Sequence, residues 1–233
     1  MSTVSMEEFL KPFSEALGRT DVPADIEGID VENSVQFIVA KATSPEQVVQ
    51  TFVTEAEKIG VLVKACAPGE VAQAVIEEVR RLDPANKTVL YANEDEAASC
   101  GLAEALAEAG LEAIAWDASH GRDAIHEASS LDVGVTFAYG AIAETGSVVQ
   151  CSSEGTGRSI YTIPPCHVAV VRRSKVFARM GQLLDDLRDS YGAQSMPSNI
   201  SVISGPSATA DIELVRVVGV HGPVHTAVVM IED

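Results

Sequence analysis

The chain opens on a helical pattern. Ser5-Met6-Glu7-Glu8 has the form of a capping box, and Phe9, Leu10, Phe13 and Leu17 then recur at helical spacing until Gly18. This predicts an amphipathic N-terminal helix, able to pack on the main domain or on a second subunit. Residues 19–33 are acidic and lack periodic apolar positions, which predicts a linker. The expected organisation is therefore an N-terminal helix and linker, 1–33, followed by one α/β domain, 34–233.

From Ser34 onward short apolar runs alternate with amphipathic stretches. The run at 37–40 precedes Ser44-Pro45-Glu46-Gln47, which supplies an N-cap, a proline at the first helical position and a capping glutamine. The helix that follows carries Val48, Val49, Phe52 and Val53 and ends at Gly60. Residues 61–63 then read as strand, 70–82 as helix, 88–91 as strand, 96–109 as helix with Gly110 at its end, and 111–115 as strand. Such alternation predicts an α/β fold with a mainly parallel sheet and helices on both faces.

Beyond a short helix at 123–130 the rhythm tightens. Strands at 133–139 and 146–151 are too close in sequence for a crossover helix, so they are expected to pair antiparallel through the turn at 141–145. A strand at 168–171, a helix at 176–189, a strand at 200–204 and a last strand at 226–231 complete the pattern.

Composition narrows the functional classes. With 46% hydrophobic residues and only 5% aromatic ones, the core is aliphatic. The balance of 34 acidic against 16 basic residues gives a formal charge of -18, which repels phosphate backbones and disfavours nucleic acid and anionic membranes as partners. A local basic pocket is still compatible with it, since Arg158, Arg172, Arg173 and Lys175 are grouped in sequence. The four cysteines, Cys66, Cys100, Cys151 and Cys166, lack C-x-x-C spacing, which argues against an iron–sulfur cluster or structural zinc held by this chain alone. No signal-like segment and no apolar run of ~18 residues is present, so the expectation is a cytoplasmic protein with reduced thiols and no membrane span.

Candidate chemistry gathers in the C-terminal third, where polar or glycine-rich clusters follow apolar β-branched runs. Glu144, in Ala143-Glu144-Thr145-Gly146-Ser147, is a candidate general base or nucleophile if partly desolvated, and otherwise a solvated turn residue. Gly155-Thr156-Gly157-Arg158-Ser159 offers backbone N–H groups and a guanidinium suited to a carboxylate or phosphate. In Pro164-Pro165-Cys166-His167 the histidine is either a proton carrier or a strand-entry residue bonded to backbone. Gly205-Pro206-Ser207-Ala208-Thr209-Ala210-Asp211 brings a close-approach glycine with Ser207, Thr209 and Asp211 at alternating positions, able to grip an anion or to cap a short helix. Gly219-Val220-His221-Gly222-Pro223 sets a titratable ring between glycines, to stabilise developing charge or to bond its own loop. His120, His126 and His225 have no motif around them, and neither a P-loop nor a dinucleotide fingerprint occurs.

Taken in order from about Gly134 to Ile231, these motifs resemble the LUD (lactate-utilisation) domain family, and within it the lactate utilization protein C type. Glu144-Thr145-Gly146 matches the family's glutamate-threonine-glycine signature, and the His221 loop matches as well. The loop at 205–213 matches Gly-Pro-Ser-Arg-Thr-Ala-Asp-Ile-Glu, except that Ala208 stands where arginine is usual, which shifts any need for positive charge to Arg158 or the backbone. The resemblance implies a ribose-5-phosphate isomerase and CoA-transferase type of fold. It further implies a non-iron–sulfur component of a bacterial system oxidising L-lactate to pyruvate, with no cofactor in this chain and iron–sulfur clusters in partner subunits. On that reading Glu144, His167 and His221 are catalytic candidates, while Thr145, Gly146, Arg158, Gly205, Ser207, Thr209, Asp211 and Gly222 hold a small carboxylate or carrier-linked ligand, without a metal. One alternative is a stand-alone transferase or isomerase acting on a CoA ester or sugar phosphate, with Glu144 as nucleophile or base. Another is a non-catalytic assembly subunit that docks a partner through its N-terminal helix.

Overall fold

The computed structural model describes residues 5–19, 44–192, 195–210 and 216–233. The chain divides into two units, Met1–Val39 and Ala40–Asp233. The described part of the first is helix α1 (Met6–Ala16), whose capping box forms as expected: the Glu8 N–H donates to the Ser5 hydroxyl and the Ser5 N–H to the Glu8 carboxylate, both at 3.2 Å. Residues 20–33 of the expected linker, and the expected strand at 37–40, lie outside the described residues.

In the second unit, helix α2 (Pro45–Lys58) starts at the Ser44 cap and its reciprocal Gln47 bonds, and is followed by α3 (Val71–Leu82). Further along come α4 (Asp95–Ser99), α5 (Leu102–Glu108), α6 (Asp123–Ser129), the single turn α7 (Ser159–Thr162) and α8 (Met180–Tyr191). The main sheet is wholly parallel, in the order β1 (Leu62–Cys66), β12 (His225–Ile231), β7 (Cys166–Arg172), β4 (Val133–Phe137), β2 (Thr88–Tyr91), β3 (Glu112–Ala115). A second sheet orders β8 (Val176–Phe177), β5 (Gly140–Ile142), β6 (Ser147–Cys151) and β9 (Ile200–Ile203), antiparallel at β5/β6 and β6/β9. A separate antiparallel hairpin joins β10 (Ala208–Ala210) to β11 (Arg216–Val218). Among the described residues no helix is long and apolar enough to cross a membrane.

Strand periodicity sorts the core into layers. Val135, Val168, Val170 and Val229 face Val75 and Val79 of α3 and Leu106 of α5. The alternate residues Ala169, Val171, Val228 and Met230 face Phe52 and Ala56 of α2, together with Ala141 and Val148 of the second sheet. Leu183 and Leu187 of α8 cover the far side of that sheet at Ile142 and Val149. Helices therefore cover both faces of a parallel sheet, as the alternation predicts.

Four local expectations are corrected. The helix expected at 96–109 is two helices, because Gly101 takes φ +63 and breaks the hydrogen-bond ladder after Cys100. The strand expected at 133–139 to pair with 146–151 instead splits. Ala138 still donates to Val170 of the main sheet at 2.7 Å, while Tyr139 donates to Val149 of the second at 2.9 Å, and it is β5 that pairs with β6. The helix expected from 176 begins only at Met180, since Val176 and Phe177 are drawn into parallel pairing with β5. Residues 208–210, read as loop, are strand.

Candidate functional site

The chain runs from β2 to β3 toward one edge of the main sheet and from β4 to β7 toward the other, so its winding reverses between β4 and β2. Connections that leave neighbouring strands in opposite directions open a crevice at the strands' carboxyl ends. A cavity of about 480 Å³ lies there, walled by Phe137 at the end of β4, Val170 and Arg172 of β7, Ile231 of β12, and Glu94 and Glu96 beyond β2.

Its polar wall is a hydrogen-bonded network. Lys175 Nζ donates to Asp186 at 2.7 Å and lies 5.0 Å from the centroid of the Tyr139 ring, and the Tyr139 hydroxyl donates to Asp186 at 2.5 Å. Burial opposes the charge on Lys175, but the bond to Asp186 and the nearby Tyr139 outweigh it and hold the ammonium above its ordinary pKa. Burial likewise favours a neutral Asp186, and the bonds from Lys175 and Tyr139 outweigh it to keep the carboxyl below its usual range. Burial, then the bond to Asp186, raise Tyr139. At neutral pH this wall is a fixed ion pair beside a neutral phenol. Arg172, 3.8 Å from Asp233, adds positive charge on the β7 side, and Glu94 and Glu96 place negative charge on the β2 side.

Cys151 also lines the cavity, and burial, then Glu94, push its thiol up to about 11. Burial raises Cys66, Cys100 and Cys166 too. Because the thiolate is the reactive form, iodoacetamide at mildly alkaline pH is expected to modify the native protein at least ~10-fold more slowly than the urea-unfolded chain. Labelling of Cys151 at the rate of a free thiol would contradict this.

The expected site residues occupy other places. Glu144 lies in the turn after β5, with its carboxylate 3.4 Å from Arg179 and its N–H donating to the Ala178 carbonyl at 3.2 Å. The Thr145 hydroxyl is 2.7 Å from that of Ser147, which is 2.7 Å from that of Ser204, so this turn abuts the loop carrying Gly205. Ser207 donates its N–H to the Pro223 carbonyl at 2.8 Å, and Gly222 packs against its side chain. His221 is exposed in the same loop, and Thr209 is exposed in β10. Asp211 lies outside the described residues.

Gly146, His167 and Gly205 do share a cavity, but one of only about 10 Å³ between the two sheets, room for about one water. Thr226, whose buried hydroxyl has no partner among the described residues, lines it as well. His167 is fully enclosed, with Nε2 2.9 Å from the Thr136 hydroxyl, and burial pushes its imidazole down to about 4. It is a neutral core group at physiological pH. His167 and Thr226 are the second residues of β7 and β12, so this neighbourhood is at the amino ends of the strands, opposite the 480 Å³ cavity. Arg158 stands apart and lines a cavity with Trp116.

Tyr139, Asp186 and Trp116 escaped the sequence reading. Tyr139 and Asp186 are 47 residues apart, so no local motif joins them. The grouping of Arg172 with Lys175 was the available signal, and both do line the larger cavity.

Comparison with known proteins settles the family. The model of the LUD domain matches residues 49–231. The chain belongs to the LUD domain family. This LUD domain chain is 33% identical over 228 residues to the lactate utilization protein C of Halalkalibacterium halodurans, covering 97% of each. It is 32% identical over 230 residues to that of Shouchella clausii, again covering 97% of each. The uncharacterized protein YkgG of Escherichia coli is 37% identical over 163 residues, 70% of this chain and 69% of that one. A DUF162 family protein from Deinococcus radiodurans shares the fold, with a TM-score of 0.54 at 16% identity over 81% of this chain and 98% of that one.

Proposed function

We propose that this LUD domain chain serves bacterial lactate utilisation as the component without an iron–sulfur cluster in a system that oxidises L-lactate to pyruvate, the clusters residing in partner subunits. The observation that carries this reading is the similarity, over nearly the whole length, to proteins named lactate utilization protein C.

The 480 Å³ cavity at the carboxyl ends of β4, β7 and β12 is the ligand site in this proposal. Its charge distribution suits a 2-hydroxy acid: the carboxylate faces Arg172 and Lys175, and the hydroxyl donates toward Glu94. The volume falls within the range of about 300–1,000 Å³ that encloses a drug-sized molecule, which leaves room for either a small carboxylate or a carrier-linked ligand. Glu144, paired with Arg179 away from this cavity, offers no observation in favour of a covalent carboxylate mechanism.

Deleting the gene is expected to abolish growth on L-lactate as sole carbon source and to leave growth on succinate unchanged, with the wild-type gene restoring growth on L-lactate. A deletion strain that grows on L-lactate at the wild-type rate would refute the assignment.

A further inference from the structure

A second cavity, of about 460 Å³, adjoins the first and shares Ser152 and Ser153 with it. Trp116, the only tryptophan of the chain, forms part of its wall together with Thr156, Gly157 and Arg158. The glycine-rich loop is pressed against this wall rather than left free. A Cβ on Gly157 would fall 2.0 Å from Trp116 Cζ2, and one on Gly155 would fall 2.2 Å from the Asn93 carbonyl oxygen. Backbone bonds hold the loop tip: Ser153 and Thr156 exchange N–H to carbonyl bonds of 3.1 and 3.3 Å, and Asn93 donates to the Gly155 carbonyl at 2.9 Å.

Two groups in this rigid setting have unspent hydrogen-bonding capacity. Thr156 is completely buried and its hydroxyl has no partner among the described residues, and the indole N–H of Trp116 is likewise buried and without a partner among them. Buried polar groups are ordinarily satisfied, so two such groups beside one cavity leave hydrogen-bonding capacity that a ligand atom or a water can take up. An indole N–H only donates, a hydroxyl can donate, and the guanidinium of Arg158 at the cavity's edge is cationic and pairs with no carboxylate among the described residues. Of the acidic groups by this loop, Glu154 is exposed within it and Glu94 accepts from the Ser153 hydroxyl at 2.9 Å, and neither is among the described residues that line the cavity. Two donors beside the Arg158 charge favour an anion here, even on a chain of net charge -18 and with the hydroxyls of Ser152 and Ser198 and the amide of Asn199 on the same wall.

We propose that the Trp116 cavity binds the oxyanion of a small molecule, with Arg158 engaging its charge and the Thr156 hydroxyl and Trp116 indole N–H supplying hydrogen bonds. The oxyanion belongs to either a phosphate ester or a carboxylate. This site is separate from the lactate reading, and a chain that bound oxyanions without serving growth on L-lactate would leave it intact.

The lone tryptophan makes the test direct. Intrinsic fluorescence of the purified full-length chain is titrated with inorganic phosphate, with L-lactate and, at matched ionic strength, with chloride. A saturable change with phosphate identifies a phosphate ester, and one with L-lactate a carboxylate. In either case the response is expected to weaken about tenfold in Arg158→Gln and in Thr156→Val, and to persist in Arg188→Gln, which removes an exposed positive charge elsewhere. Arg158 is exposed, so a melting temperature matching wild type checks that Arg158→Gln is folded. No saturable response to either oxyanion, an equal response to chloride, or an unchanged titration in folded Arg158→Gln would overturn the proposal.

Discussion

Replacing Gly146 with alanine is expected to lower the unfolding free energy by about 3–5 kcal/mol, a large fraction of the ~5–15 kcal/mol that holds a typical domain together. Two costs combine at this position. Its φ of +62 lies in the left-handed region, where a Cβ is strained, and that Cβ would fall 2.3 Å from the Ala56 nitrogen and 2.6 Å from its Cα. The obstacle is the backbone of α2 near its carboxyl end, which cannot yield without moving a helix whose Phe52 and Ala56 anchor the core between the sheets. Thr145→Ala and Glu144→Ala remove exposed groups, and the Glu144–Arg179 pair is half open to solvent, so each is expected to cost less than about 1 kcal/mol. Urea unfolding midpoints of the three variants measure the contrast. Near wild-type stability in Gly146→Ala would mean that the 144–146 turn does not pack against α2 as described.

Acid is expected to destabilise the protein well before its carboxylates titrate. His167 is fully buried and its folded pKa is pushed to about 4 from 6.5. The unfolded chain therefore takes up a proton near pH 6.5 that the folded chain refuses until about pH 4. Stability is fully present above the unfolded value and is lost as pH falls through this window, by roughly 3 kcal/mol at its lower end. Asp132, held low because hydrogen bonds from Lys87 and Thr88 outweigh burial, adds a loss of the same sign at still lower pH. The exposed His120, raised by its hydrogen bond to Glu127, acts in the opposite direction. In His167→Gln, an uncharged group that can still bond Thr136, the melting temperature is expected to be nearly flat between about pH 7 and 5 while wild type falls steadily. A flat wild-type profile would place His167 in contact with solvent.

Much of the architecture was legible because it rests on local rules. The capping box Ser44/Gln47 and the apolar stripe of α2 define that helix without tertiary help. The β-branched runs at β2, β7 and β12 can be buried on both faces only in a parallel sheet. What escaped depended on distant partners. Nothing within residues 133–139 shows that Ala138 bonds one sheet and Tyr139 the other, since that division is fixed by Val170 and Val149. Val176 and Phe177 fit a helical stripe as well as a strand, and β5 decides between them.

The site was legible to a lesser degree, for a related reason. Glycines at 146, 157 and 205 stood out, and each is required by close approach to backbone or to an aromatic ring. A glycine demanded by packing and one demanded by a ligand look alike in sequence. His167 likewise reads as a proton carrier until the second sheet closes over it. The network at the carboxyl edge assembles Tyr139, Lys175 and Asp186 from a sheet crossing, a strand entry and a helix, and so carries no motif.

The most direct test of the account is growth on L-lactate of the deletion strain carrying Lys175→Met at wild-type protein level, beside strains carrying the wild-type gene and Arg188→Gln. Lys175 is the fixed cation of the carboxyl-edge cavity, and Arg188 is an exposed residue outside its described lining. Growth restored by wild type and Arg188→Gln but not by Lys175→Met is the predicted result. Full restoration by Lys175→Met would contradict the claim that this cavity holds the ligand through which the chain serves lactate utilisation.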